Sequence, residues 1–374
     1  MKILADAHIP YLKGVAEQIG ETEYLPGNEF SKEAIKDKDA LIVRTVTRFD
    51  ENNLSGSNVK IICSATIGFD HIDTEYCDAN DIAWKTAPGC NANSVEQYIT
   101  SSLLVLARRY DIELKDKTIG IIGVGNVGSK VEKACKKLGM RVLLNDPPRE
   151  EKEQNLGATD FVDLATIQKE SDFITIHTPL TKTGEYATYH LIDENFLRGC
   201  KKKPFIMNAA RGAVSDNQAL KHGIKEGLIA GVVIDCWENE PNIDRELLDM
   251  ADIATPHIAG YSADGKWKGT EMSINNLVDY YNLDIVPKFN VLPNPSDPVI
   301  DLDGIDEKEQ LARAVLHTYN PVKESDALKE HPEDFYWFRS NYPLRREYKA
   351  FEVRNGSLDV MKVLVDLGFV SGTF

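Results

Sequence analysis

Short apolar runs alternate with polar stretches of helical length from the start of the chain to about residue 260. Over residues 1–90 the runs KILADA, ALIVRT, KIICSATIGF and IAWKTA are separated by stretches such as YLKGVAEQIG and ENNLSG. That βα alternation predicts a parallel sheet. In 93–110, Val95, Tyr98, Ile99, Ser102, Leu103 and Leu106 recur at helical spacing, and Ser94 with Gln97 forms a capping-box pattern, so a long helix bridging two domains is predicted. A second and more regular series follows: TIGIIGVG, RVLLND, FITIHTPL, FIMNAARG, AGVVIDCW and DIATPHIAG, separated by helical stretches. Six strands with crossovers describe a doubly wound dinucleotide fold. Residues 261–282 predict a helix returning to the first domain, and the proline-rich 286–298 a linker. Beyond it, Leu311, Val315 and Tyr319 at intervals of four, the alternating YKAFEV and the helical DVMKVLVDLGF predict a small α+β piece.

Composition narrows the function classes. A formal charge of −16 opposes nucleic-acid binding, which needs a basic face, and means that an anionic substrate must be met by a local basic pocket. The triplet Lys201 to Lys203 reads instead as a solvated turn between a helix and a strand. Six cysteines without a CxxC pair fit reduced thiols and no metal site. No apolar run approaches the roughly 18–20 residues of a membrane span, and the first residues lack signal-peptide features, so no membrane association and a cytoplasmic location are expected.

Candidate chemistry begins at GVGNVG, residues 123–128, directly after one apolar strand pattern and before a helix. Gly123 would allow the tight turn, Gly125 a close approach of backbone to a pyrophosphate, and Gly128 close packing of helix on strand, with Asn126 and Val127 completing the turn. Asp146 ends the next strand pattern, where a carboxylate can accept from adenosine ribose hydroxyls and would repel a 2′-phosphate. NAD rather than NADP is the expected cofactor. Three further strand patterns end in Arg211, Glu240 and His257. Oxidising an alcohol beside a carboxylate needs a cation for the carboxylate, a base for the hydroxyl proton and a group to orient that base; arginine, histidine and glutamate supply these in turn. Asp235 could accept from a nicotinamide carboxamide or simply end its strand. His177, at another strand end, competes for the base role but has no glutamate placed to partner it.

GVGNVG, HTPL, NAARGAV, DCWENEP and TPHIAGYS together resemble the signature of the D-isomer-specific 2-hydroxyacid dehydrogenases. The resemblance implies a flavodoxin-like substrate domain (1–93 and 262–285), a doubly wound Rossmann NAD-binding domain (94–261) and a small α+β C-terminal dimerisation domain (286–374). It implies catalysis by Arg211, Glu240 and His257, substrate contacts from Thr45, Thr66 and Tyr261, and cofactor contacts from Thr178, Ala209, Ala210, Arg211, Asp235 and Gly260 beside Asp146. LIVRTVT, SATIGFDHID, APGCNANSVEQY and a C-terminal piece containing NYPLRREY narrow the implied substrate to a phosphorylated hydroxy acid, handled by a homodimer. A buried phosphate needs a cation. Arg44 is the first choice for it, with Arg48 nearby and with Arg345 and Arg346 as candidates to close the pocket. Two alternatives stay open: a dehydrogenase of glycerate, lactate or 3-phosphoglycerate, and an NAD-sensing binding protein of the same fold.

Overall fold

The apolar runs of the first ninety residues become strands β1 (Lys2–Asp6), β3 (Ala40–Val43), β4 (Ile61–Ser64) and β5 (Ala83–Lys85) of a parallel sheet in the computed structural model, which describes residues 1–154, 157 and 160–372. A further strand, β2 (Glu21–Leu25), pairs with β1 and makes the order β2-β1-β3-β4-β5, the flavodoxin-like one. The sequence gives no apolar run there because ETEYL lies at the sheet edge and is nowhere fully buried. The inner strands ALIV and IICS are buried on both faces, as a helix-covered parallel sheet requires. Ile3, Ile42 and Ile61 pack against Ile274 and Leu277 of the helix Ala263–Tyr280, while Leu4, Leu41 and Ile62 pack with Phe30, Phe49 and Leu54. These elements form one unit, Met1–Asn91 with Ser262–Pro293.

The second unit is Ala92–Tyr261 with Asn294–Phe374. Its strands β6 (Thr118–Ile122), β7 (Arg141–Asn145), β8 (Phe173–Ile176), β9 (Phe205–Asn208), β10 (Gly231–Ile234) and β11 (Ile253–Ala254) are parallel in the order β11-β10-β9-β8-β6-β7. Phe161 adds a parallel bridge to Leu144 on the outer side of β7. With that bridge as a vestigial strand, the order is the doubly wound dinucleotide one, reversing direction at β6. The helix Ala92–Tyr110 begins two residues before Ser94, so the expected capping box is not formed. Ser94 Oγ instead donates to the Ala259 carbonyl at 2.9 Å, and Gln97 Nε2 to Thr318 Oγ1 and the Arg346 carbonyl.

The C-terminal segment carries a three-stranded parallel sheet of β12 (Val299–Asp301), β13 (Glu352–Arg354) and β14 (Val370–Ser371), with helices that include Glu307–Thr318 and Leu358–Leu367. Its Ile300, Val315, Val353 and Leu364 share one hydrophobic core with Leu103, Leu106 and Val131 of the dinucleotide fold. Among the described residues, no helix is long and apolar enough to cross a membrane.

Candidate active site

The glycine turn leaves β6 at Gly123, whose φ of +88° only glycine adopts freely; a Cβ there would also lie 2.7 Å from the His177 carbonyl carbon and 2.8 Å from the Thr178 amide nitrogen. Gly128 opens the helix Gly128–Lys137 so close to the strand that a Cβ would lie 2.1 Å from the Gly123 oxygen. Gly125 faces open space, Asn126 is exposed and Val127 half-buried. Asp146 Oδ2 accepts from the Val124 amide at 2.7 Å, which fixes the strand-end carboxylate against the turn. Arg149 is engaged by Glu153 at 2.6 Å and the Val124 carbonyl at 2.7 Å, so its charge is partly met within the protein. Thr178 Oγ1 is buried and unpartnered. An open glycine face, an unspent hydroxyl and a helix N-terminus behind the turn fit a dinucleotide pyrophosphate.

The expected catalytic trio lies just beyond three neighbouring strands of that sheet. Arg211 follows β9 in a turn held by Asn208, which donates from Nδ2 to the Arg211 carbonyl at 3.0 Å and accepts the Ala210 amide at 3.1 Å. The half-buried Ala209 and the buried Ala210 make up this turn, and Arg211 Nη1 donates to the Ala210 carbonyl at 2.9 Å. Glu240 lies past β10. Its Oε1 accepts the Trp237 amide at 2.8 Å, and its Oε2 lies 2.9 Å from His257 Nδ1. With Nδ1 occupied by Glu240, Nε2 is the ring nitrogen available to a substrate. Burial opposes charge on His257, but the Cys236 sulfur and the Glu240 carboxylate outweigh it and hold the His257 pKa well above its ordinary value. The reverse balance holds for Glu240: burial pushes its pKa up, the His257 contact pulls it down, and the net direction is down.

His257 occupies the left-handed region at φ +56°, and the turn it begins is held from both sides. From one side the Asp235 carboxylate, 1% exposed, accepts Thr255 Oγ1 at 2.6 Å and the amides of Ile258 at 2.7 Å and Ala259 at 2.9 Å. From the other, Arg345 donates to the carbonyls of Ala259 and Ser94 while its Cζ lies 4.3 Å above the Tyr319 ring. Asp235 thus has its oxygens engaged by the His257 turn, a contact that the sequence does not announce. Arg345, 4% exposed, is committed in the same way, and Arg346 is buried as well, so the expectation that this pair closes a substrate pocket is corrected for Arg345. Arg339 lies beside Tyr261 and Glu240: its Nη2 donates to Tyr261 Oη at 3.1 Å and its Nη1 lies 3.9 Å from Glu240 Oε2. The half-buried Gly260 separates Tyr261 from the clamped turn. His177 hydrogen-bonds Thr175 at 3.0 Å, and burial pushes its pKa down to about 3, which keeps it neutral.

The remaining expected residues belong to the first unit. Arg44 follows β3 and donates to the buried Asp6 through Nε at 2.8 Å and Nη2 at 3.2 Å. Its charge is therefore largely met by Asp6. Arg48 lies 3.3 Å from Asp50, Thr45 is exposed at the tip after β3, and Thr66 Oγ1 pairs with Ser64 Oγ at 2.7 Å.

Residues 94–259 match the family described as D-isomer specific 2-hydroxyacid dehydrogenase, NAD binding domain, and residues 291–368 match a domain family of unknown function. A protein of Bacteroides thetaiotaomicron named erythronate-4-phosphate dehydrogenase is 50% identical over 94% of this chain and 99% of its own. Its namesake in Porphyromonas gingivalis is 44% identical over 99% of this chain and all of its own. Among solved structures, the D-lactate dehydrogenase of Aquifex aeolicus complexed with NAD and lactic acid matches with a TM-score of 0.62 and 25% identity, covering 79% of this chain and all of that one.

Proposed function

Because the chain belongs to the erythronate-4-phosphate dehydrogenases, within the D-isomer-specific 2-hydroxyacid dehydrogenase family, we propose that it oxidises 4-phospho-D-erythronate to 2-oxo-3-hydroxy-4-phosphobutanoate, a step toward the vitamin B6 cofactor. It is an NAD-dependent dehydrogenase. The observation that carries the proposed chemistry is the Glu240–His257 pair at 2.9 Å, with Nε2 left for substrate and Arg211 on the adjoining turn. In this reading Arg211 binds the C1 carboxylate through paired N–H bonds and polarises the C2 oxygen, which a lysine could not do with the same geometry. His257 Nε2 takes the C2 hydroxyl proton, and Glu240 stabilises the imidazolium that results. NAD, held across Gly123, Gly125, Asn126, Val127 and Gly128 with Asp146, Thr178, Ala209, Ala210, Arg211, Asp235 and Gly260 around it, supplies the hydride acceptor when bound. Arg44, Thr45, Thr66 and Tyr261 are assigned to substrate, with the Arg44 guanidinium also bound to Asp6.

The assignment of the first unit to substrate and of the C-terminal segment to self-association belongs to the same proposal, as does a cytoplasmic homodimer. Exposed apolar side chains on the helix Leu358–Leu367, Leu358 at 78% and Val365 at 45%, support self-association. Leu358→Asp is expected to halve the mass seen by light scattering; a wild-type monomer would end this part of the reading.

The test of the reaction is the absorbance spectrum of stoichiometric enzyme and NAD before and after 4-phosphoerythronate, with glycerate and lactate in parallel. Reduced nicotinamide with 4-phosphoerythronate alone is the expected result. Reduction only by another hydroxy acid would keep the dehydrogenase and remove the substrate.

A further inference from the structure

We infer that Arg339, on the C-terminal helix Phe335–Ser340, is a substrate-binding residue that takes the phosphate of the phosphorylated hydroxy acid, so that the segment of unassigned function sets the specificity of the site. This rests on the phosphorylated substrate proposed above. Three observations carry it.

The first is place. Arg339 lies outside 94–259, where the NAD-binding family match falls, yet its guanidinium meets the reacting groups: Nη2 bonds Tyr261 Oη at 3.1 Å, Nη1 is 3.9 Å from Glu240, and Glu240 in turn is 2.9 Å from His257. The C-terminal segment therefore delivers a cation into the neighbourhood of the proton-transfer pair.

The second is unspent bonding capacity. A guanidinium carries five N–H donors. Arg345 places Nη1 and Nη2 on the carbonyls of Ile258, Ser94 and Ala259, although its Nε too is buried without a partner, and Arg44 is held bidentate by Asp6. Arg339 has one short bond, to a phenol, and its Glu240 contact at 3.9 Å exceeds hydrogen-bond length. Its Nε is buried without a partner, although its side chain is 24% exposed. A buried donor left unsatisfied is costly, and a ligand that accepts from it recovers that cost.

The third is charge. The phosphorylated substrate brings two anionic groups, and Arg211 answers for the carboxylate. In a protein of net charge −16, the phosphate needs a second cation close at hand. A phosphate presents three oxygens in a geometry that a fork of N–H donors matches. Arg339 offers such a fork beside Tyr261, itself assigned to substrate.

The test compares wild-type enzyme with Arg339→Met and Arg339→Lys in the full chain. Each is assayed with 4-phosphoerythronate and with erythronate, the latter as substrate or as competitive inhibitor, and NAD binding serves as the folding control. Arg339→Met is expected to lose roughly 10- to 100-fold in kcat/KM toward 4-phosphoerythronate, mainly through KM, the size of a lost charged hydrogen bond. The loss toward erythronate is expected to be at least several-fold smaller, and Arg339→Lys to recover part of the difference. Equal losses with both ligands would overturn the inference, showing that Arg339 acts through Glu240 or Tyr261. So would unchanged kinetics with 4-phosphoerythronate. A wild-type enzyme that never reduces NAD with 4-phosphoerythronate would overturn the substrate reading as well, which separates the two failures.

Discussion

The turn that carries His257 and the tip that carries Thr45 both follow strands of parallel sheets, and both are assigned to one reaction, yet they are built in opposite ways. At the His257 turn, two amides are bound by Asp235, the Ala259 carbonyl by Arg345 and the imidazole by Glu240. At the tip after β3, Thr45 and Val46 are exposed and the nearest cation, Arg44, is turned back onto Asp6. The contrast separates two demands. A proton-transfer group must be held within a fraction of an ångström, because misplacement costs rate steeply, and several hydrogen bonds from rigid elements hold it there. A tip that recognises substrate needs accessible donors more than fixed ones.

Substitutions at the two places should therefore differ in size and in kind. The largest effect is expected from His257→Asn, which removes the proton acceptor and should lower kcat/KM by about 10²–10⁴-fold while NAD still binds; near-normal turnover would return the base role to another residue. Asp235→Asn comes next. Its amide cannot accept from all three donors, so stability should fall by about 1–3 kcal/mol and Tm by roughly 2–4 °C for each kcal/mol, with kcat falling alongside. Calorimetry with parallel kinetics checks this, and an unchanged Tm would mean that the clamp on the turn is dispensable. Glu240→Gln should act on the pH profile. The carboxylate raises the His257 pKa by stabilising the imidazolium, and oxidation requires the neutral ring, so the rate rises with pH through that pKa. Removing the carboxylate lowers the pKa and moves the acidic limb of kcat/KM to lower pH; a limb that stays in place or moves upward would contradict the pairing. The smallest effect is expected at the tip, where Thr45→Val removes one neutral hydroxyl and should raise KM about two- to tenfold with kcat retained.

The same contrast marks what could be read from the sequence. The positions of the glycine turn after β6, of Asp146 after β7 and of Arg211, Glu240 and His257 beyond β9, β10 and β11 were legible because each sits in a short motif whose spacing is fixed by one strand and the turn after it. The two larger sheets were legible for a related reason, since their inner strands, buried on two faces, are continuous apolar runs, whereas β2, at an edge and nowhere fully buried, escaped. Contacts between distant segments were not legible. Nothing near Asp235 foretells that it holds amides of residues 258 and 259, and Arg339 meets Tyr261 across 78 residues. Local pattern also misassigned Ser94, which looked like a helix cap and proved to be a donor to the Ala259 carbonyl. The sequence offered Arg44, Arg345 and Arg346 and gave no sign of Arg339, because which guanidinium is already engaged depends on contacts with segments distant in the chain.

The core shared by the dinucleotide fold and the C-terminal segment bears on how this chain can be recombined with others. Ile300, Val353 and Leu364 cover Leu103, Leu106 and Val131, so a graft that kept 92–261 and discarded 294–374 would turn those side chains toward water. It would also strip Arg345 from the carbonyls that hold the His257 turn. The inheritable block is the pair of segments together, with seams at 91/92, 261/262 and 293/294. A chimera cut at those seams transplants the His257 turn with its own scaffolding, whereas one cut at the end of the dinucleotide motif imports the residues without the contacts that hold them.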